Sequence, residues 1–265
     1  MHRENKMKVK FRLALISLLA FFLSSCSSNN SVPQTDQKIT VAVAASLTLP
    51  LRDIGAAFEK KYRTKVELSP ASSGVLTAQI IHGAPFDVFI SADAAHPEKL
   101  EKEGKTVGHP KTFAVGLLVL WSRKDLQGMP PAKFLPGVKT LSIANPDLAP
   151  FGAAAVKWLK KENVYEKMKP KLVYGENIGS VNQFIASGAV DAALTSVSAV
   201  HTPQLQDKGH WTILPASEIA GIPHVAAVIP QKTSRAAATQ FLEFLSSDDA
   251  QNILAKYGYG KPEKS

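Results

Sequence analysis

Hydrophobic and polar positions along this 265-residue chain switch repeatedly between a period of two and a period near 3.6. Ile39-Thr-Val-Ala-Val-Ala44 is a β-branched run that predicts a buried strand, and Leu51, Ile54, Phe58 and Tyr62 then recur at helical spacing. Lys65-Val-Glu-Leu68 reads as a second strand, followed by a helix from about Gly74 to Ile81 that Gly83 stops. Phe86-Asp-Val-Phe-Ile90 is a further buried strand, Phe113–Trp121 a long apolar run and Thr140–Ile143 a short one. A helix is expected over Gly152–Lys161, with Ala155, Val156 and Leu159 on its inner face. Val173–Gly175 leads into a helix near Val181–Ser187, and Ala192-Ala-Leu194 and Val225–Ile229 read as strands. Two helices close the chain. Phe241, Leu242, Phe244 and Leu245 mark the buried side of the first, and Ser246-x-x-Asp249 predicts a capping box opening the second, which runs through Ala250, Ile253, Leu254 and Tyr257. Such alternation implies an α/β protein whose parallel-rich sheets are covered by helices.

The first residues stand apart from this pattern. Arg3, Lys6, Lys8, Lys10 and Arg12 precede Leu13–Leu23, an apolar run too short to span a bilayer as a mature helix. A basic start and a short apolar core predict a secretory signal over residues 1–25. The run ends Leu23-Ser-Ser-Cys26, which resembles the bacterial lipobox, so Cys26 is expected to be lipidated and to become the first mature residue. Residues 26–37 are rich in Ser, Asn and Gln and read as a flexible tether.

That assignment changes what the composition means. The formal charge of +9 falls to +5 over the 240 residues that follow residue 25, an ordinary solvated surface. No dense basic run with interleaved aromatics remains, which argues against a nucleic-acid partner. The single Cys excludes an intrachain disulfide framework and a Cys-rich metal site.

Enzyme motifs are absent: there is no G-x-S-x-G, P-loop, H-E-x-x-H or strand-to-helix G-x-G-x-x-G. The seven His residues lack metal-ligand spacing. Asp87 and Asp93 flank a strand and are expected to make strand-end hydrogen bonds rather than to work as a catalytic pair. The informative feature is the recurrence of small polar residues where strands hand over to helices, at Ala44–Thr48, Ala71–Gly74, Ala144–Gly152 and Gly175–Ser180. At each, unpaired helix-start amides and nearby hydroxyls can serve a single anion. In open α/β sheets such loops lie at the carboxyl ends of strands, where ligands bind. Each Ser or Asn taken alone would be a simple helix cap; four such loops together describe an oxyanion site built from neutral donors.

These segments carry a resemblance. Val43-Ala-Ala-Ser-Leu-Thr48, Ala71-Ser-Ser-Gly74, Gly83-Ala-Pro-Phe-Asp-Val-Phe-Ile-Ser-Ala-Asp93, Asn145-Pro-Asp-Leu-Ala-Pro150, Gly175-Glu-Asn177 and Tyr257-Gly-Tyr-Gly260 resemble the molybdate-binding periplasmic proteins of bacterial ABC transporters, the ModA family. The resemblance spans residues 39–260. It implies a type II periplasmic binding protein, with two α/β lobes joined by two crossover strands and a ligand cleft between them. Lobe one would hold residues 38–117 plus 225–265, and lobe two 118–224.

The resemblance also implies a role: an extracytoplasmic receptor, anchored through Cys26, that captures molybdate and tungstate and delivers them to a permease in the inner membrane. It would act as a monomer without cofactor, and molybdenum would be met only as bound molybdate. Ser46 and Ser73 match the family's two lobe-one hydroxyl donors. Phe151 and Ile178 match positions that give backbone amides, Phe151 standing where a small residue is usual. The family's tyrosyl donor falls on Leu194, which cannot donate, so Thr195 or Ser196 is expected to replace it. A fully deprotonated dianion needs donors only, and the nearby carboxylates of Glu176 and Asp147 are expected to face away. The alternatives are a receptor for another oxyanion such as sulfate, a receptor for a small organic anion, or an enzyme on the same fold. The enzyme would need a base, and neither Ser46 nor Ser73 has a His partner visible in the sequence.

Overall fold

The structure, a computed structural model, describes residues 37–215, 219, 221–231 and 234–262. The expected signal, Cys26 and nearly all of the tether lie outside the described residues. The strands are β1 (Gln37–Ala44), β2 (Thr64–Ala71), β3 (Val88–Ser91), β4 (Val107–Gly116), β5 (Leu118–Ser122), β6 (Leu141–Ala144), β7 (Leu172–Gly175), β8 (Ala192–Ser196), β9 (His210–Ile213) and β10 (Ile222–Val228). The helices are α1 (Thr48–Tyr62), α2 (Ser73–Ile81), α3 (Ala95–Lys102), α4 (Pro131–Phe134), α5 (Pro150–Lys161), α6 (Tyr165–Met168), α7 (Ile178–Ser187), α8 (Val197–Val200), α9 (Arg235–Phe244) and α10 (Asp248–Lys256).

Among the described residues the strands form two five-stranded sheets, ordered β2-β1-β3-β10-β4 and β7-β6-β8-β5-β9. The two orders are equivalent in form. β1 pairs in parallel with β2 and β3, and β6 pairs in parallel with β7 and β8. In each sheet the fourth strand runs antiparallel to both neighbours: β10 between β3 and β4, β5 between β8 and β9. Both of these strands arrive from the other sheet. Chain entering from the opposite lobe has no crossover helix to return it in parallel, so it pairs antiparallel.

Leu117 breaks the apolar run at 113–121, leaving β4 in one sheet and β5 in the other. β4 begins at Val107, before the apolar part of its sequence, because a shifted register with β10 carries Lys111 and Thr112 along the sheet. Ile222, Pro223 and His224 already pair with β4, so the second crossing is complete before residue 225.

Central strands are buried on both faces, as Val41, Ala42 and Val43 are, which explains their continuous apolar character. Phe58, with no exposed surface, joins α1 to α9 through an edge-on ring contact with Phe241 at 5.0 Å. Burying one such ring contributes about 2–3 kcal/mol. The second core gathers Trp121, Trp158, Leu159, Leu194 and Val181 between β5, β6, β8 and the helices over them. α7 shows a full set of local signals: Asn177 accepts from the Ser180 amide at its start, and Gly188 ends it at φ 74°.

The expected capping box moves by one residue. Ser247, not Ser246, caps α10 by accepting from the Ala250 amide, because the Ser246 amide is still bonded to Glu243 O in the turn that ends α9. Helix α3 and strand β9 were not legible in the pattern. α3 buries only Pro97 and Leu100, and β9 is a short, largely exposed edge strand.

Candidate oxyanion site between the lobes

The four strand-to-helix handovers meet in one place. Ser46 lies in a 3-10 turn, Ala45–Leu47, that carries β1 into α1. Ser72 and Ser73 link the end of β2 to α2, and Phe151 sits in the first turn of α5 behind Pro150. Ile178 is the first residue of α7. All five line a single small cavity of about 10 Å³, together with Asn177 and small Ala residues at the strand ends. That is space for about one water, so the cleft must widen to seat a tetrahedral anion of five heavy atoms.

Lining by helix starts has an electrical consequence. The Phe151 and Ile178 amides belong to first turns, where no intrahelical acceptor exists, and the positive ends of α5 and α7 face the same space. Among the described residues no Lys, Arg, His, Asp or Glu lines the cavity. Glu176 and Asp147 are exposed and not part of it. The wall therefore consists of neutral dipoles. Fixed donors suit a dianion, because no ion pair has to be desolvated when it enters.

The hydroxyls are poised by their partners. Ser73 Oγ, fully buried, accepts from the Ala92 amide at 3.1 Å, which leaves its own proton free to donate. Ser46 Oγ lies 3.2 Å from His224 Nε2. His224 Nδ1 is 3.1 Å from the Ile222 carbonyl, which can only accept, so Nδ1 carries the proton and Nε2 accepts from Ser46. Burial pushes the His224 pKa down to about 4, so the ring is neutral near pH 7. The Ser46 proton can turn from this neutral ring to an anionic oxygen, since the charge-assisted bond is the stronger.

His224 is the residue that sequence reasoning missed. It stands 178 positions from Ser46, on a strand that enters from the other sheet, and no local signal joins the two. Phe151 packs toward it with ring centroids 5.9 Å apart, which ties the large side chain to the crossing strand.

The hydroxyls expected to replace the missing tyrosyl donor have partners elsewhere. Thr195 Oγ1 donates to Asn182 Oδ1 at 2.7 Å, and Ser196 Oγ pairs with Ser198 Oγ at 2.9 Å. Neither residue lines the cavity, and Leu194 is buried in the core of the second sheet. β8 lies between β5 and β6, so its side chains are held within that lobe and at the start of α8. Asp87 and Asp93 do make the strand-end bonds. Asp87 accepts from the Thr40 amide at 2.6 Å and from Ser234, and Asp93 accepts from Ser91 Oγ and from the His96 amide and ring.

The two lobes are in contact around the cavity. The Gly74 amide donates to Leu148 O at 2.9 Å, a backbone bond from α2 to the loop before α5. Ser46 O accepts from Ser198 Oγ and from Tyr259 Oη, each at 2.9 Å, which joins α8 to the other lobe.

Two sheets of equivalent topology, two crossovers and a neutral anion cavity at the converging helix starts define an extracytoplasmic solute receptor of the type II two-lobed class. The model of the bacterial extracellular solute-binding proteins matches residues 39–260. The molybdate-binding protein ModA of Azotobacter vinelandii is 40% identical over 228 residues, covering 84% of this chain and 90% of that protein. ModA of Rhodobacter capsulatus is 37% identical over 234 residues, covering 86% and 90%. The solved periplasmic molybdate-binding protein of A. vinelandii superposes with a TM-score of 0.80 at 30% identity, covering 85% of this chain and all of that one. The chain belongs to the bacterial extracellular solute-binding proteins and, within them, to the ModA family.

Proposed function

We propose that this chain captures molybdate, and tungstate with it, outside the cytoplasm and delivers it to the permease of an ABC transporter. The observation that carries the reading is the cavity itself: four helix starts and buried seryl hydroxyls surround a space without a charged side chain. A tetrahedral dianion fits that chemistry. A protonated oxyanion would bring a donor into a wall made of donors.

The anion acts as the clasp between the lobes. Ser46 and Ser73 come from one lobe and the Phe151 and Ile178 amides from the other, so all four can be engaged only when the cleft is shut. Closure is favoured by the contacts that the anion makes in that state alone. The chain works as a monomer, is held at the membrane through lipidated Cys26, and needs no cofactor.

The reading includes no catalysis. Ser46 and His224 do form a hydroxyl–imidazole pair, contrary to what the sequence suggested. A base with a pKa of about 4 is far too weak to activate a hydroxyl near pH 7, and Nδ1 is held by a carbonyl rather than a carboxylate. Titration calorimetry of the full chain with molybdate, tungstate, sulfate and phosphate tests the assignment. Tight molybdate and tungstate binding with weak sulfate and phosphate binding is expected; tight binding of sulfate alone would overturn it.

A further inference from the structure

Ser72 Oγ is a buried polar atom without a hydrogen-bond partner in a residue that lines the anion cavity. Ser72 is 2% exposed and occupies the N-cap position of α2, with extended backbone at φ −72° and ψ 151°. A seryl side chain there ordinarily accepts from an amide of the first turn. This one makes no such bond, and the Gly74 amide is turned to Leu148 O across the cleft instead. The ordinary structural explanation for a Ser at this position therefore fails. A hydroxyl removed from water and left unmet is costly, so it calls for a partner that arrives later.

The neighbouring hydroxyls are all accounted for. Ser73 Oγ holds the Ala92 amide, and Ser46 Oγ is paired with His224. In the second lobe, Leu194 offers no donor and Thr195 and Ser196 are committed elsewhere. We infer that the Ser72 hydroxyl donates directly to the bound oxyanion and takes the place of the tyrosyl donor that this chain lacks. The inference rests on reading the cavity as the molybdate site. It moves one donor from the second lobe to the first, so the first lobe presents three hydroxyls, Ser46 after β1 and Ser72 and Ser73 after β2, to the ligand before the cleft shuts.

The test compares the full wild-type chain with Ser72→Ala and Ser72→Thr by molybdate calorimetry and by thermal melting with and without molybdate. Ser72→Ala is expected to bind roughly 10- to 100-fold more weakly, the loss of one charge-assisted bond. Its melting temperature without ligand should match or exceed that of the wild type, because an unmet hydroxyl has been removed. Ser72→Thr, which keeps the hydroxyl, should recover most of the affinity. A structural cap would behave oppositely, with a lower ligand-free melting temperature. Molybdate affinity of Ser72→Ala within twofold of wild type, or a ligand-free melting temperature several degrees lower, would overturn the inference while leaving the wild-type titration to uphold the site. A wild-type chain that binds none of molybdate, tungstate, sulfate and phosphate would overturn the site reading and this inference with it.

Discussion

Ser46 Oγ and His224 Nε2 lie 3.2 Å apart in the closed cleft, and His224 has no exposed surface. Burial lowers the imidazole pKa to about 4, outweighing the Ile222 carbonyl and the Asp93 charge, which both favour protonation. Tyr259 and Phe151 close the remaining sides with their rings. In the unfolded chain the same group titrates near 6.5. Between those two values the unfolded state binds more protons, so stability should rise as pH rises from about 4 to 6.5. The full contribution is on the order of 3 kcal/mol. Urea unfolding without molybdate at pH 5 and pH 7.5 should show it, and His224→Gln should flatten the difference; an equal slope in both proteins would refute the assignment.

Replacing Ser46 removes a donor from the cavity and leaves His224 Nε2 buried without a partner. Ser46→Ala should weaken molybdate binding by about 1.5–3 kcal/mol and destabilise the ligand-free protein by about 1–3 kcal/mol. The double loss distinguishes it from Ser72→Ala. Calorimetry and chemical denaturation on the same preparation read both effects.

Gly74 approaches the other lobe so closely that a Cβ would force the facing backbone to give way. A Cβ there would sit 3.0 Å from Leu148 O and 3.3 Å from Leu148 Cα, both backbone atoms. Gly74→Ala should therefore prop the cleft ajar. Molybdate affinity is expected to fall at least tenfold while the ligand-free melting temperature changes little, since the open form relieves the contact. Small-angle scattering should show a smaller compaction on adding molybdate than in the wild type.

Gly152 is a different case, because its crowding lies inside one lobe. A Cβ would come within 2.2 Å of Ala144 O, where α5 begins against the end of β6. Opening the cleft cannot relieve this. Gly152→Ala should cost about 1–3 kcal/mol of stability and shift the Phe151 amide away from the anion. Urea denaturation and molybdate titration should both register the change, unlike for Gly74→Ala.

The fold was largely legible because its strongest elements carry their own signals. β1 is buried on both faces and is apolar throughout, and α7 has Asn177 before it and Gly188 after it. The weaker elements were not. β4 starts in a polar stretch whose pairing is set by β10, more than a hundred residues later, and β9 takes its register from β5. The cap of α10 fell one residue from the expected Ser because Ser246 still belongs to the turn that ends α9.

Sequence by itself determined the loops that bear the site, since a hydroxyl or Asn at a strand-to-helix junction is written locally and the same chemistry recurs at four junctions. Tertiary structure decided which of those groups are free to act. Ser73 is braced by Ala92, Ser46 by a histidine from a crossing strand, and Thr195 and Ser196 are consumed inside their own lobe. Ser72 alone among the cavity's seryl groups keeps an unpartnered hydroxyl. Those distinctions depend on contacts between residues far apart in the chain, where periodicity and spacing carry no information.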